Sequence, residues 1–172
     1  MRKPDIENIT VFADASFCPE TKAAGGAFWA KGVDAKLSDS FSFEGALQSH
    51  EAEVMVACEA ILKISRHPEL AKMLARGPKT RIVLVIDCLT VQQVLGENSN
   101  TKLSLKVKQR VNQVKALRRR LNFWLKINHV KAHSGTGTAR QWVNSWCDEN
   151  ARARMTELRE AVRSRAAELA TI

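Results

Sequence analysis

The chain has 172 residues, of which 45% are apolar and 26% are charged; this composition is typical of one globular domain and excludes a largely disordered protein. Its 27 basic and 18 acidic residues give a net charge of +9. Such a charge is unusual for an enzyme of small metabolites and favours a polyanionic partner, with nucleic acid ahead of an anionic membrane.

The first part of the chain alternates short apolar runs with turn residues. We predict strands at 8–14, 27–30 and 35–43, separated by a loop at 15–24 that leads into Gly25-Gly26 and by a turn at Lys31-Gly32. Strands joined by such short connections form an antiparallel meander.

Helical patterns dominate the rest of the chain. A helix begins after the N-cap Ser49, carries Glu51 and Glu53 in its first turn and ends before Pro68. Further helices are predicted at about 69–76, 90–95, 104–121 and 139–170, and strands at 81–87 and 123–130. This order predicts an α/β protein with a five-stranded mixed sheet, in which strands 1–3 are antiparallel and strands 4 and 5 parallel, flanked by helices and followed by an extended C-terminal helix.

Four acidic residues are the strongest candidates for a functional site. Asp14 and Asp87 each end an apolar strand, where a carboxylate is partly buried and needs a partner or a metal ion. Glu53 and Asp148 lie near the starts of two helices and can point to the same place. Oxygen ligands without a His/Cys cluster favour Mg²⁺ or Mn²⁺ over Zn²⁺. Taken singly, Glu53 and Asp148 are more often helix-end charges, so the prediction depends on the set of four.

Two ions held by such a set can activate water and stabilise the leaving oxygen of a phosphodiester. His133, in a glycine-containing loop after the fifth strand, is a candidate proton shuttle. His50 lies beside the proposed site, and we expect His129, inside the fifth strand, to be structural.

The basic residues are concentrated in one block. From Asn98 to Cys147 the chain has no acidic residue and eleven basic ones. Such a run is often only a solvated helix face, but its length favours sequence-tolerant binding to backbone phosphates. Among its tryptophans we expect Trp124 to lie in the core, together with at least one of Trp142 and Trp146, which are otherwise candidates for stacking on a base or sugar.

The cysteines and the apolar runs complete the expectations from composition. Cys18, Cys58, Cys88 and Cys147 show no metal-ligand spacing and follow no secretory signal, so we expect free thiols in a reducing cytoplasm. Apolar runs such as 82–86 are too short to span a bilayer. We therefore expect a cytoplasmic protein that does not span a membrane.

The ordered set of motifs resembles the ribonuclease H family over about residues 6–154. The similar segments are a first-strand motif at 11–16, the second strand at 25–29, a first-helix motif at 51–57, the fourth strand and its aspartate at 83–91, the histidine loop at 130–135 and a last-helix motif at 144–152. The resemblance implies a ribonuclease-H-like fold and Mg²⁺-dependent hydrolysis of the RNA strand of RNA–DNA hybrids, leaving a 5′-phosphate and a 3′-hydroxyl.

The resemblance also implies roles for individual residues. Asp14 would bridge two Mg²⁺ ions, for which Mn²⁺ is a substitute; Glu53 and Asp87 would hold one ion and Asp148 the other, and His133 would help to release product. For contacts with nucleic acid we single out six residues: Ser16, His50, Lys106, Arg110, Lys131 and Asn144.

The sequence departs from the family pattern around the expected substrate. Ala15 replaces a usual glycine, the 18–24 loop lacks the usual asparagine- and glycine-rich sequence, and Gln48-Ser-His50 stands where paired asparagines are common. The segment between the third and fourth helices leaves little room for a separate basic handle helix, for which the basic 104–121 helix is a partial substitute. The loop between His133 and Asp148 is longer than usual, and so is the last helix, by about twenty residues.

These departures leave alternatives for the function. One is a nuclease or DNA-processing enzyme of the wider superfamily that acts on DNA, and another is a non-catalytic nucleic-acid-binding module, against which the intact acids argue. We divide the chain into a catalytic domain (1–154) and a helical extension (155–172). The extension either packs back on the domain or forms an interface with a second chain; we expect a monomer, with dimerisation through this helix as the alternative.

Overall fold

The structure, a computed structural model, describes residues 5–96, 100–130 and 138–171. Its strands form one five-stranded sheet, and they are β1 (Glu7–Phe17), β2 (Ala24–Lys31), β3 (Lys36–Phe43), β4 (Thr80–Ile86) and β5 (Trp124–His129). The helices are α1 (Ser49–Ile64), α2 (Pro68–Leu74), α3 (Leu89–Leu95), α4 (Leu105–Leu121) and α5 (Ala139–Ala170), with a short 3₁₀ turn at Gly77–Lys79.

The sheet is mixed and has the strand order β3-β2-β1-β4-β5. The first three strands pair antiparallel because their connections are short, whereas β4 and β5 each follow a helical crossover and pair parallel, β4 with β1 and β5 with β4. The predicted α/β architecture is therefore confirmed, including the directions of all five strands.

The two faces of the sheet bury different cores. The larger core packs one face of β1, including Ile9 and Val11, against α1, α2, α3 and α4. The smaller one packs Phe12 and Val85 against Val143 and Cys147 of α5. Alternate residues of β1 thus serve opposite cores, as the period of two in a strand requires.

β2 begins at Ala24, before the expected start at Ala27, so Gly25 and Gly26 lie inside the strand, as the family resemblance implied. A Cβ atom at Gly25 would lie 2.1 Å from the Ala151 carbonyl oxygen of α5, and one at Gly26 would lie 2.3 Å from Cγ2 of Val56 in α1. The two glycines therefore allow helices on both faces to approach β2 closely.

Three further expectations need correction. β1 continues past Asp14 to Phe17, because β2 pairs with it along that whole length. The N-cap of α1 is Gln48, and Ser49 is the first helical residue. Trp124 is not in the core, because its side of the edge strand β5 lies beyond the strands on which α5 packs; the residue is 56% exposed. Trp142 is also exposed, whereas Trp146 packs against the smaller core.

The last helix, α5, is 32 residues long and starts with a capping box between Thr138 and Gln141. Its first half packs on the sheet, while its C-terminal part is largely exposed and carries an ion pair between Arg163 and Glu20. Within the described ranges, every helix is too short or too polar to cross a bilayer.

Candidate active site

Two of the predicted acids meet where β4 ends. Phe12 of β1 is paired with Val85 of β4 in parallel register, so Asp14 and Asp87 both lie two residues further along and at the same level. β4 stops at Ile86, whereas β1 continues, which leaves Asp87 exposed beside the half-buried Asp14. The Ala15 N–H donates a 2.9 Å hydrogen bond to Oδ1 of Asp14 and fixes that carboxylate.

Glu53 of α1 completes a cluster of three carboxylates. One oxygen from each of Asp14, Glu53 and Asp87 lies within 4.8 Å of the others. Glu53 is placed by the start of α1, where the buried Glu51 accepts hydrogen bonds from the backbone N–H groups of Leu47 (2.7 Å) and Ser104 (2.6 Å). Glu51 thereby ties the first turn of α1 to the start of α4.

The crowded carboxylates resist ionisation. Burial, and then the negative charges of Asp14 and Asp87, raise the pKa of Glu53 to about 9. Burial and the charge of Asp87 raise the pKa of Asp14 to about 6, against the lowering effect of the Ala15 N–H. The fold thus holds these acids together at a cost that a bound cation would offset.

The residues present fit a hard divalent cation. Oε2 of Glu53 is buried and has no hydrogen-bond partner among the described residues. A buried polar atom normally has a partner, so this oxygen is available to coordinate a metal ion. The three neighbouring groups are carboxylates, so their metal ligands are oxygen atoms. Mg²⁺ and Mn²⁺ prefer oxygen ligands.

Asp148 lies on the rim of this cluster but is not part of the close group of three. It lines the same cavity, of about 410 Å³, and its negative charge contributes to the raised pKa of Asp14. Both of its oxygens accept hydrogen bonds, each 3.0 Å long, from the Arg152 guanidinium one turn further along α5. Its carboxylate is therefore shared between the cavity and an arginine.

The cavity also has polar walls that sequence reasoning did not assign to the site. Besides the predicted Asn144, its lining includes Arg140, Gln141 and Ser145 from the first turns of α5. The sequence did contain a signal for these residues. Gln141, Asn144 and Asp148 are three and four residues apart, so a helix places them on one side.

The structure describes two of the three histidines that the sequence singled out. His133 and Lys131 lie outside the described residues. His129 is the last residue of β5 and is exposed, with its Nε2 atom 2.9 Å from the Asp87 carbonyl oxygen. This contact links the ends of β4 and β5 next to the acidic cluster. His50 is half-buried in the first turn of α1, one turn before Glu53.

The remaining predicted contacts to nucleic acid lie on two elements, β1 and α4. Ser16 is on β1 beyond Asp14, paired with Gly25. Lys106 of α4 is exposed, but Arg110, one turn later, forms a 2.6 Å ion pair with Glu59 of α1 and a hydrogen bond with Gln113. Arg110 therefore already has an anionic partner within the fold.

Comparisons with known proteins identify the family and the fold of the chain. The RNase H family model matches residues 6–156. The N-terminal RNase H domain of rv2228c from Mycobacterium tuberculosis is 17% identical, with a TM-score of 0.60, and the match covers 93% of this chain and 99% of that one. LC11-RNase H1 in complex with an RNA/DNA hybrid is 13% identical, with a TM-score of 0.63 and coverage of 87% and 98%.

A third similar structure is RNase H1 from the halophilic archaeon Halobacterium salinarum, 14% identical with a TM-score of 0.59, covering 87% of this chain and 98% of that one. At these identities the solved structures establish the fold, which is RNase-H-like. The search of curated proteins found no match.

Proposed function

Because the chain belongs to the RNase H family, we propose that it is a nuclease that hydrolyses the RNA strand of RNA–DNA hybrids with the help of two divalent ions. The observation that carries the proposal is the cluster of Asp14, Glu53 and Asp87, whose carboxylates lie within 4.8 Å of one another in a cavity. The RNA/DNA hybrid bound by the similar LC11-RNase H1 supports the choice of substrate class.

In this proposal Asp14 would contribute to holding both ions. Glu53 and Asp87, which lie close to it, would hold one ion with it, and Asp148, on the rim of the same cavity, would hold the other. Bound Mg²⁺ ions would supply an activated water and charge stabilisation for the leaving oxygen. Mn²⁺ is the expected substitute, since it accepts the same oxygen ligands.

Other residues act on the substrate itself. Asn144 and Ser16 have polar side chains next to the acids, one in the cavity lining and one on β1, and they orient the sugar–phosphate backbone. His50 and Lys106 lie at the starts of α1 and α4 and extend the contact surface. His133 and Lys131 keep their proposed roles in product release and phosphate binding, and both lie outside the described residues.

Calorimetric titration tests the ion site directly. The wild-type protein should bind Mg²⁺, and Asp14→Asn should lose most of that heat, because the residue contributes to both ion positions. Asp34→Asn changes an exposed acid in the β2–β3 turn and is the matched control. If neither the wild type nor the control bound ions, the metal site would be refuted.

A cleavage assay tests the substrate. Matched RNA–DNA, RNA–RNA and DNA–DNA duplexes should be compared with Mg²⁺ and with Mn²⁺. We expect cuts in the RNA strand of the hybrid alone. Cleavage of DNA alone would favour the DNA-acting alternative, and salt-sensitive binding without any cleavage would favour a binding module.

We also propose the organisation and setting of the molecule. Residues 1–154 form the catalytic domain, and residues 155–172 form a C-terminal helical extension. The protein acts as a monomer. Its compartment is a reducing cytoplasm, since its four cysteines are unpaired. Deletion of 155–172 tests the alternative of dimerisation through the helix. Light scattering should give a monomer mass before and after deletion, and a dimer that the deletion dissociates would establish the alternative.

A further inference from the structure

One exposed aromatic ring lies outside both hydrophobic cores and outside the cavity of the acidic cluster. Trp124, the first residue of β5, is 56% exposed. Its indole N–H donates a 3.1 Å hydrogen bond to the Pro78 carbonyl oxygen, so the ring is held in one orientation on the surface. A fixed, exposed tryptophan offers a flat face at a low cost in side-chain entropy.

Cations lie on one side of this ring. Trp124 borders a cavity of about 380 Å³ whose walls include Lys115, Arg118 and Arg119 of α4 and the buried Phe123. α4 is followed by its C-cap Asn122, whose left-handed φ of 54° turns the chain sharply into β5. This turn brings the last basic turn of the helix and the tryptophan to one cavity.

Further cations lie on the other side, along the sheet. Trp124 is paired with Arg81 of β4, and Lys126, two residues further along β5, projects from the same face. α5 packs mainly on β1, β2 and β3, so this part of the face is accessible, and Lys126 is exposed.

These cations have little neutralisation from within the protein. Among the described residues, Lys115, Arg118, Arg119 and Lys126 form no ion pair with an acid. Arg110, from the same helix, differs because Glu59 already neutralises it. Among the residues that the structure describes, no acid contributes to the cavity lining either. The surface is therefore suited to a polyanion.

The surface is separate from the acidic cluster. Arg81, the partner of Trp124, lies six residues before Asp87 on β4, which places the ring about 20 Å from the acids along the strand direction. A ligand on this surface can therefore be bound while the acidic site holds substrate.

We propose that this surface, formed by Arg81, Lys115, Arg118, Arg119, Trp124 and Lys126, binds a single-stranded segment of nucleic acid. The phosphates contact the cations and a base stacks on Trp124, as in sequence-tolerant single-strand binding. A duplex keeps its base faces stacked inside, so it cannot use the exposed ring. On the proposed function, the segment is a single-stranded flank of the hybrid substrate, and only this identity rests on that function.

The test uses the full-length protein in EDTA at low salt, with a fluorescent oligo-dT as the probe. Trp124→Ala should weaken binding about tenfold, as expected for the loss of one stacked base. Trp124→Phe should retain most of the affinity, because it keeps an aromatic face. The double change Arg118→Glu/Arg119→Glu should also weaken binding strongly. Its control, Arg163→Glu/Arg165→Glu, makes the same change of net charge on the exposed part of α5 and should have a smaller effect.

Cleavage kinetics add an independent readout. The wild type should show a lower KM for a hybrid with a single-stranded overhang than for a blunt hybrid, and Trp124→Ala should remove that difference while kcat stays the same. Unchanged oligo-dT binding by Trp124→Ala would overturn the proposal, and so would equal weakening by the two charge-reversal variants.

A different occupant would also be recognised. If an acidic peptide bound in a Trp124-dependent way while oligo-dT did not bind, the surface would be a protein-docking site and the proposal wrong. Because the binding assay needs no catalysis, a protein that bound oligo-dT through Trp124 but cut no hybrid would refute the proposed function and leave this inference standing.

Discussion

The carboxyl ends of β4 and β5 lie beside a cluster of acids, and their amino ends lie beside a group of cations. The two groups differ in sign and also in how far the protein buries them. At the carboxyl end, the exposed Asp87 is crowded against the half-buried Asp14 and Glu53, and burial raises the pKa of these two. At the amino end, cations such as Arg119 and Lys126 are exposed, and each is solvated separately. The fold thus holds the acids together against their mutual repulsion. The cations are exposed, so the fold positions them without having to overcome such a repulsion. This difference predicts that substitutions at the acidic end affect both chemistry and stability, and those at the basic end affect binding alone.

The largest expected effect is on turnover at the acidic end. Asp87→Asn removes one charge of the cluster but keeps an exposed side chain of the same size, so the fold should persist. Cleavage of the hybrid should fall by roughly a thousandfold or more, as expected when one member of a cooperating catalytic set is lost. Rates under single-turnover conditions and a thermal unfolding curve check this. Activity close to that of wild type would remove Asp87 from the site.

The second prediction concerns stability without metal. The pKa of Glu53 is raised to about 9 in the folded protein, from 4.5. Between these values the folded state holds a proton that the unfolded state has lost, so the free energy of unfolding should fall as pH rises from about 5 to 9. One such proton gives a slope of up to about 1.4 kcal/mol per pH unit.

Urea unfolding in EDTA at several pH values measures this slope. Glu53→Gln should make it shallower, because the amide does not titrate. Glu69→Gln, a change of an exposed acid on α2, should leave the slope unchanged. Mg²⁺ should raise the stability of the wild type most at high pH, where the ligands are deprotonated. Equal slopes for wild type and Glu53→Gln would contradict the buried state of this carboxyl.

The third prediction compares an exposed cation of α4, Lys106, with a cation of the same helix that is paired with an acid, Arg110. Lys106 is exposed, and its substitution by alanine should reduce the salt dependence of hybrid binding by about one unit of the log–log slope. Arg110→Ala should change that slope less, because Arg110 is already paired with Glu59. Fluorescence anisotropy over a range of salt concentrations measures both. A larger loss of slope for Arg110→Ala would show that the ion pair opens for the substrate.

The sequence predicted the acidic end better than the basic end for a physical reason. A carboxylate in an apolar strand is an anomaly that the local sequence displays, and strand register then brings Asp14 and Asp87 together. Surface cations are ordinary residues, so only their number was informative, and the pairing of Arg110 depends on the packing of α4 on α1. Trp124 was wrongly placed in the core because its exposure depends on which strands α5 covers, and no local pattern records that.

The smallest expected effect concerns Asp148, whose carboxylate is bound by the side chain of Arg152. Arg152 holds both carboxylate oxygens of Asp148 at 3.0 Å and so competes with an ion for that ligand. The pair is partly exposed, and such pairs are worth at most about 1 kcal/mol. Arg152→Ala should therefore lower the Mg²⁺ concentration for half-maximal cleavage about two- to fivefold.

The matched control for this variant is Arg163→Ala, which removes an arginine from the same helix that is paired with Glu20, outside the cavity. It should leave the Mg²⁺ dependence unchanged. A higher Mg²⁺ requirement for Arg152→Ala would mean that the arginine positions Asp148 for the ion and does not compete with it. In that case Arg152 would support metal binding by the acids, and no cation would oppose it at the carboxyl end of the sheet.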